Sequence, residues 1–138
     1  MILPDSSVWI DLLAARDTAQ ANLLRQLLNE NFVVGVGDLI LTEVLQGTRG
    51  ERHYQETLAV LSSFEQVTIV GRNVAIAAAR NYRHLRSLGI TVRKTIDTLI
   101  ATRCILDAIP LLYSDRDYDP FVQHLGLRSA MDLDPGVN

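Results

Sequence analysis

Short apolar runs alternate with longer helical segments along this chain, and that alternation limits the folds open to it. Ile2-Leu3 reads as the end of a buried strand, Phe32-Val33-Val34-Gly35-Val36 as a second, Val67-Thr68-Ile69-Val70 as a third and Leu111-Leu112-Tyr113 as a fourth. Helical patterns fill the intervals at about 8–14, 18–30, 39–46, 51–63, 72–88 and 95–107. Parallel strands need long crossovers, and those crossovers cover both faces of the sheet. The expected architecture is therefore α/β, with three α/β/α layers around a central parallel sheet of four to five strands. At 138 residues the chain has the size of one domain, expected to span 1–138.

Several helix boundaries carry local signals. Asp17 is expected to cap the helix beginning at Thr18, with Gln20 completing a capping box. Asp38 is expected to cap the helix that carries Glu43, and Asp119-Pro120 reads as a cap with proline at the first helical position. Gly89 stands where the longest helix should stop. Within 72–88, Val74, Ala78, Tyr82, Leu85 and Leu88 share one face, and Arg72, Arg80, Arg83 and Arg86 the opposite arc, with His84 at its edge. The helix at 95–107 is apolar nearly all round, which predicts burial and leaves Asp97 in its first turn needing an explanation.

Charge is unevenly distributed. Residues 1–48 hold two basic and six acidic side chains, 49–103 nine basic and four acidic, and 104–138 two basic and six acidic. A basic middle flanked by acidic ends can present a cationic surface beside an anionic site. No apolar stretch approaches the roughly 18 residues of a membrane span. Met1-Ile2-Leu3 meets Pro4 and Asp5 too soon for a signal peptide. The single cysteine, Cys104, fits a reducing compartment, so a cytoplasmic location is expected.

Four acids stand where such a fold gathers ligands. Asp5 follows the first strand and Asp115 the fourth, and α/β sheets bind beyond the carboxyl ends of strands where strand order reverses. Glu43 lies on a short helix after the second strand, and Asp97 opens the apolar helix. Each has a purely structural alternative: Asp5 as a helix cap, Asp97 as a complement to a helix dipole, Asp115 as a turn residue, Glu43 as a solvated residue. If the four converge, they cannot all ionise within a few ångströms without a cation. An all-oxygen set suits Mg²⁺ or Mn²⁺ better than zinc, and the scattered His53, His84 and His124 offer no zinc set. Carboxylate–metal sites of this kind hydrolyse phosphodiesters, whose negative charge the arginine arc on 72–88 can hold.

Asp5-Ser6-Ser7-Val8-Trp9-Ile10-Asp11 resembles the opening of PIN domains, in which the first strand ends on an aspartate followed by a small hydroxylic residue. Thr42-Glu43-Val44-Leu45-Gln46-Gly47 resembles the second acidic element of that family, Asp97-Thr98-Leu99-Ile100-Ala101 the third, and Ser114-Asp115-Arg116-Asp117-Tyr118 the fourth. The match runs in order over nearly the whole chain and is most similar to VapC-type toxins. It implies a Mg²⁺-dependent endoribonuclease, with Mn²⁺ able to substitute, restrained by a small cognate antitoxin and often dimeric. It also implies Asp5, Glu43, Asp97 and Asp115 as catalytic metal ligands or positioners of metal-held water. Asp117 is a fifth candidate, because in an extended segment it points to the same side as Asp115. Ser7 is expected to orient the first ligand, touch substrate, or cap its helix. Arg93 and Lys94 are expected in a loop beside the site, in contact with RNA phosphate. Arg116 is read as either a phosphate contact or a counter-charge, and Trp9 and Ile10 as packing residues. Pro4 stands where an aliphatic strand residue is expected, so the first strand should end a residue early.

Two other readings remain open on the sequence. One is a phosphotransfer protein with Asp5 as phosphoacceptor; against it, Ser7 stands where related phosphatases carry a second aspartate, and the only lysine, Lys94, precedes a helix. The other is a PIN-like module that binds RNA or protein without cutting, although none of the four acids is lost. For an RNA target, single-stranded loops are the expected substrate, since their bases are readable.

Overall fold

The computed structural model describes residues 1–133. Among them are four short strands, β1 (Leu3–Pro4), β2 (Gly35–Gly37), β3 (Glu65–Val67) and β4 (Leu111–Leu112). Seven α-helices accompany them: α1 (Ser6–Leu13), α2 (Ala19–Asn29), α3 (Asp38–Gln46), α4 (Glu51–Ser62), α5 (Arg72–Ser87), α6 (Thr95–Leu106) and α7 (Asp119–Leu125). Two helices cross between each pair of consecutive strands, and all pairing is parallel. β2 pairs with β3, and β1 pairs with β4. An Ile2–Val34 bridge joins the two pairs, with the Ile2 N–H donating to the Val33 carbonyl at 3.1 Å and the Gly35 N–H to the Ile2 carbonyl at 2.9 Å. The order is thus β3-β2-β1-β4, and Ser129 bridges Leu111 at the far edge, giving the expected four to five strands.

Neighbouring residues of a strand point to opposite faces. Ile2, Leu3, Val36, Leu111 and Leu112 are all fully buried, so both faces of the sheet are covered and the three layers follow. Order reverses between β1 and β4, the two strands whose ends carry Asp5 and Asp115.

Several boundaries differ from expectation for identifiable reasons. β1 continues through Pro4, because the Leu3 and Asp5 N–H groups donate to the Pro110 and Leu112 carbonyls and the missing proline donor faces the β2 side, where pairing has shrunk to the bridge at Ile2. β3 lies two residues earlier than the apolar run suggests. Ile69 is fully buried, yet its N–H donates to the Asp38 side chain at 3.0 Å instead of to a strand. Asp38 is therefore the first residue of α3 and a clamp between α3 and the segment after β3. Thr18, and not Asp17, caps α2 by accepting from Ala21 N–H at 3.0 Å, while Asp17 accepts from Asn22. Asp119 opens α7 one place inside its cap and accepts from the Tyr113 hydroxyl. Gly89, with φ of 80°, ends the α5 region as expected. Of the predicted apolar face of α5, Val74, Ala78 and Leu85 are buried, but Tyr82 and Leu88 are exposed. Ile96 and Leu106 on α6 and Ile10 on α1 are exposed as well, whereas Trp9 is fully buried against Phe64.

Tight packing at β2 gives the first prediction. A Cβ added to Gly37 would lie 2.7 Å from Cδ1 of the buried Ile69, whereas one added to Gly47 meets nothing closer than 3.6 Å. Gly37→Ala is expected to destabilise by about 1–3 kcal/mol, and Gly47→Ala by less than about 0.5 kcal/mol, in denaturant unfolding.

Candidate metal centre

The strand ladder positions Asp5. Its N–H donates to the Leu112 carbonyl at 2.8 Å, and its own carbonyl accepts from Val8 and Trp9 as α1 begins. The buried side chain makes no capping bond and is left facing the switch point. Asp115 follows β4 and accepts the Asp117 N–H at 2.9 Å, opening a 3-10 turn over Arg116–Tyr118. That turn, and not an extended segment, brings Asp117 to the same side as Asp115. Asp97 enters from the first turn of α6 and is buried. Asp97, Asp115 and Asp117 each offer an oxygen, all within 4.8 Å of one another.

Tyr118 ties these elements together. Its fully buried ring packs against Tyr113 and Phe121, with centroids 5.3 and 6.5 Å away. Its hydroxyl stands 3.2 Å from Asp5 Oδ1 and 3.2 Å from Asp97 Oδ1. With one proton, it donates to one carboxylate at a time.

Burial is the main cause of the unusual acidities here. It lifts Asp5 from 3.8 to about 6, opposed by the Ser6 N–H and reinforced by the charges of Glu43 and Asp97. Glu43 is raised by burial and then by Asp97, with Lys94 and the Ser6 hydroxyl opposing. Asp97 is raised by burial, against the pull of Lys94 and Tyr118, with Asp115 and Asp117 adding to the rise. These mutual effects make Asp5, Glu43, Asp97, Asp115 and Asp117 one electrostatic unit. Burial and the two aspartates push the Tyr118 hydroxyl far up, so it stays a donor.

Two carboxylate oxygens in this unit, Glu43 Oε1 and Asp97 Oδ2, are buried with no hydrogen-bond partner. A buried carboxylate oxygen without a donor costs about 1–3 kcal/mol or more. A hard divalent cation provides the partner that the protein does not, so the oxygen-only donor set fits one.

The remaining expected residues divide. Lys94 Nζ lies 3.8 Å from Asp115 Oδ2, within the acidic unit. Ser7 is half-buried near the start of α1; its hydroxyl has no partner and does not cap the helix. Arg93 and Arg116 are exposed, and neither forms an ion pair among the described residues. Sequence reasoning overlooked Tyr118 and Ser6. The signal for Tyr118 was its place three residues after Asp115, since a buried tyrosine hydroxyl needs a polar partner.

Residues 2–121 match the PIN domain family. VapC ribonuclease Mb1587 of Mycobacterium bovis and ribonuclease VapC11 of Mycobacterium tuberculosis are each 28% identical over 131 residues, covering 94% of this chain and 98% of the relative. Among solved structures, VapBC2 from Rickettsia felis bound to a DNA fragment from its promoter superposes with a TM-score of 0.73 at 18% identity. A toxin–antitoxin complex from Klebsiella pneumoniae gives 0.67 at 19%. Each covers 94% of this chain, with 97% of the solved chain matched, and at these identities the likeness speaks to fold alone. Family match, strand order and acidic cluster agree, and the chain belongs to the PIN-domain family.

Proposed function

We propose that this chain is a Mg²⁺-dependent endoribonuclease, acting as one domain in the cytoplasm as the toxin of a VapBC-type toxin–antitoxin pair. The observation that carries this reading is the pair of orphaned, buried carboxylate oxygens of Glu43 and Asp97, in a set of acids coupled through Asp97, of which Asp97, Asp115 and Asp117 offer oxygens within 4.8 Å of one another. The mycobacterial relatives, named as VapC ribonucleases, support RNA as substrate. Fold neighbours described as VapBC and toxin–antitoxin complexes support an antitoxin partner; a dimer of toxins as the working form is carried over from the family resemblance alone.

In this reading Asp5, Glu43, Asp97 and Asp115 hold Mg²⁺, or Mn²⁺ in its place, with Asp117 as a fifth donor. When bound, the ion supplies charge that offsets the negative charge developing on the phosphodiester and acidifies nearby water. Tyr118, donating to one of them at a time, restrains the Asp5 and Asp97 carboxylates through their Oδ1 atoms. Lys94, with a largely exposed side chain, pairs with Asp115 in the absence of RNA and turns to a substrate phosphate in its presence. Arg93 and Arg116 extend the same cationic rim, and Ser7 holds its hydroxyl toward the first ligand. Asp5, Glu43 and Asp97 all favour protonation, so proton and cation compete for the site.

That competition has a defined sign. Asp5 titrates near 6 in the folded chain against 3.8 in an ordinary environment, so protonated Asp5 stabilises the fold below about pH 4 and loses that effect as pH rises through about 6. Metal-free protein is expected to melt higher at about pH 5.5 than at about pH 7.5, and Asp5→Asn should flatten the difference. Millimolar Mg²⁺ should raise the melting temperature more at the higher pH. A melting curve indifferent to Mg²⁺ at both values argues against the site.

Tyr118→Phe keeps the buried ring and removes only the hydroxyl. It is expected to weaken Mg²⁺ binding in calorimetry and to slow RNA cleavage, each by about 10–100-fold. Unaltered metal affinity would leave the hydroxyl without the role given to it.

Brief induction in cells, followed by mapping of new RNA 5′ ends, tests the activity itself. The wild type should create ends that Asp5→Ala does not; identical maps refute the ribonuclease reading.

A further inference from the structure

α5 and α6 run antiparallel. Arg103 near the end of α6 donates to the Ile69 and Val70 carbonyls just before α5, at 3.0 and 3.2 Å, and Asn81 donates to Thr102 at 3.0 Å. The C-terminal half of α5 therefore lies beside the first turns of α6, the end of the hairpin that carries Lys94 and Asp97. A groove of about 380 Å³ separates the two helices there, walled by Ala79 and Tyr82 on one side and Thr95 and Leu99 on the other.

At 100° per residue, Arg86 and Arg83 fall on the arc of α5 adjoining this groove, and Arg80 lies further round. Arg80, Arg83, His84, Arg86 and Ser87 line a second, open depression of about 450 Å³. All three arginines are exposed, and none pairs with an acid among the described residues. Basic residues complement a helix C-terminus only within its last turn, which accounts for His84 and Arg86 but not for Arg80 and Arg83. Between groove and depression stands Tyr82, 36% exposed, with the Arg86 guanidinium 5.7 Å from its ring centroid. A row of unpaired cations beside an exposed aromatic ring is the combination that holds single-stranded nucleic acid, phosphates on the charges and a base on the ring. Such a row is also what a site built of clustered acids needs, since that cluster repels the phosphates it must receive.

We propose that the Arg80–Arg83–Arg86 face with Tyr82 is the docking track for single-stranded RNA, leading the strand over the start of α6 to the acidic cluster. This inference rests on the ribonuclease reading for the identity of the polyanion. The track holds the strand away from the cut, so it sets affinity and salt dependence.

Fluorescence anisotropy tests it, with the full chain in EDTA and a labelled, mixed-sequence, single-stranded RNA of about twelve nucleotides. The triple variant Arg80→Glu, Arg83→Glu, Arg86→Glu should bind more than tenfold more weakly and lower the slope of log affinity against log salt by about 2. Tyr82→Ala should weaken binding about tenfold with the salt slope retained. Circular dichroism of both variants should match the wild type, the substituted side chains being exposed. Wild-type affinity and slope in the triple variant overturn the track. So does intact RNA binding accompanied by loss of a dimer or of a co-purified protein partner, which would assign the face to protein. With Mg²⁺ present, a triple variant that cuts RNA at the wild-type KM refutes the track alone, whereas a wild-type chain that binds RNA and never cuts it refutes the ribonuclease reading alone.

Discussion

The hydroxyl of Tyr118 stands between the carboxylates of Asp5 and Asp97, 3.2 Å from each, and links two groups that otherwise repel. Three independent pieces of structure deliver the three residues. The β1–β4 ladder fixes Asp5 through its N–H, the packing of α6 buries Asp97 in its first turn, and the 3-10 turn after β4 drives the phenol inward. Since the ring is wedged against Tyr113 and Phe121, the hydroxyl cannot retreat without opening the core. A donor held this rigidly restrains whichever acid takes its single proton and keeps the other within reach of it. The orphaned Asp97 Oδ2 is the other face of the bond that Asp97 Oδ1 makes.

Legibility from sequence followed the physics of each signal. Asp5 and Asp115 were readable because a doubly wound sheet puts strand ends and binding sites in the same place. Asp97 was readable because a carboxylate on a mostly buried helix has few innocent explanations. The strands were blurred, since an apolar run reports burial and not ladder pairing; Ile69 is wholly buried while its N–H goes to Asp38. The caps at Asp17, Asp38 and Asp119 slipped by a residue because aspartate caps, clamps and ion-pairs with equal ease. Tyr118 lies within the fourth acidic element yet carries no distinguishable mark, for a tyrosine in a sequence reads as core whether or not its hydroxyl is needed. Extended alternation puts Asp117 on the side of Asp115, where it does lie, but a 3-10 turn carries it there.

The uneven charge of the sequence acquires a spatial meaning in the fold. Acids from the first third, Asp5 and Glu43, and acids from the last third, Asp115 and Asp117, are each coupled electrostatically to Asp97 from the middle. Parallel topology does this, because crossovers return every strand in the same direction and stack their carboxyl ends on one edge. The basic middle segment is left mostly outside, where α5 displays it to solvent. Opposite charges are thereby separated, which keeps the arginines from neutralising the cluster and both available to an anionic strand and its cation.

Lys94 marks the limit of what the protein's own charges achieve. Its ammonium lies 3.8 Å from Asp115 and pulls the pKa values of Glu43 and Asp97 down, yet both remain raised. One monovalent charge on a flexible, largely exposed stem cannot offset five carboxylates, and its own attraction is screened by water. It also leaves Glu43 Oε1 and Asp97 Oδ2 without a partner. A compact divalent charge lacks those shortcomings, because it needs no stem, enters the cluster, and satisfies several oxygens at once. Without it the cluster has only Lys94 and protons to balance it, and burial, the largest cause in each case, moves three of its acids toward their neutral forms.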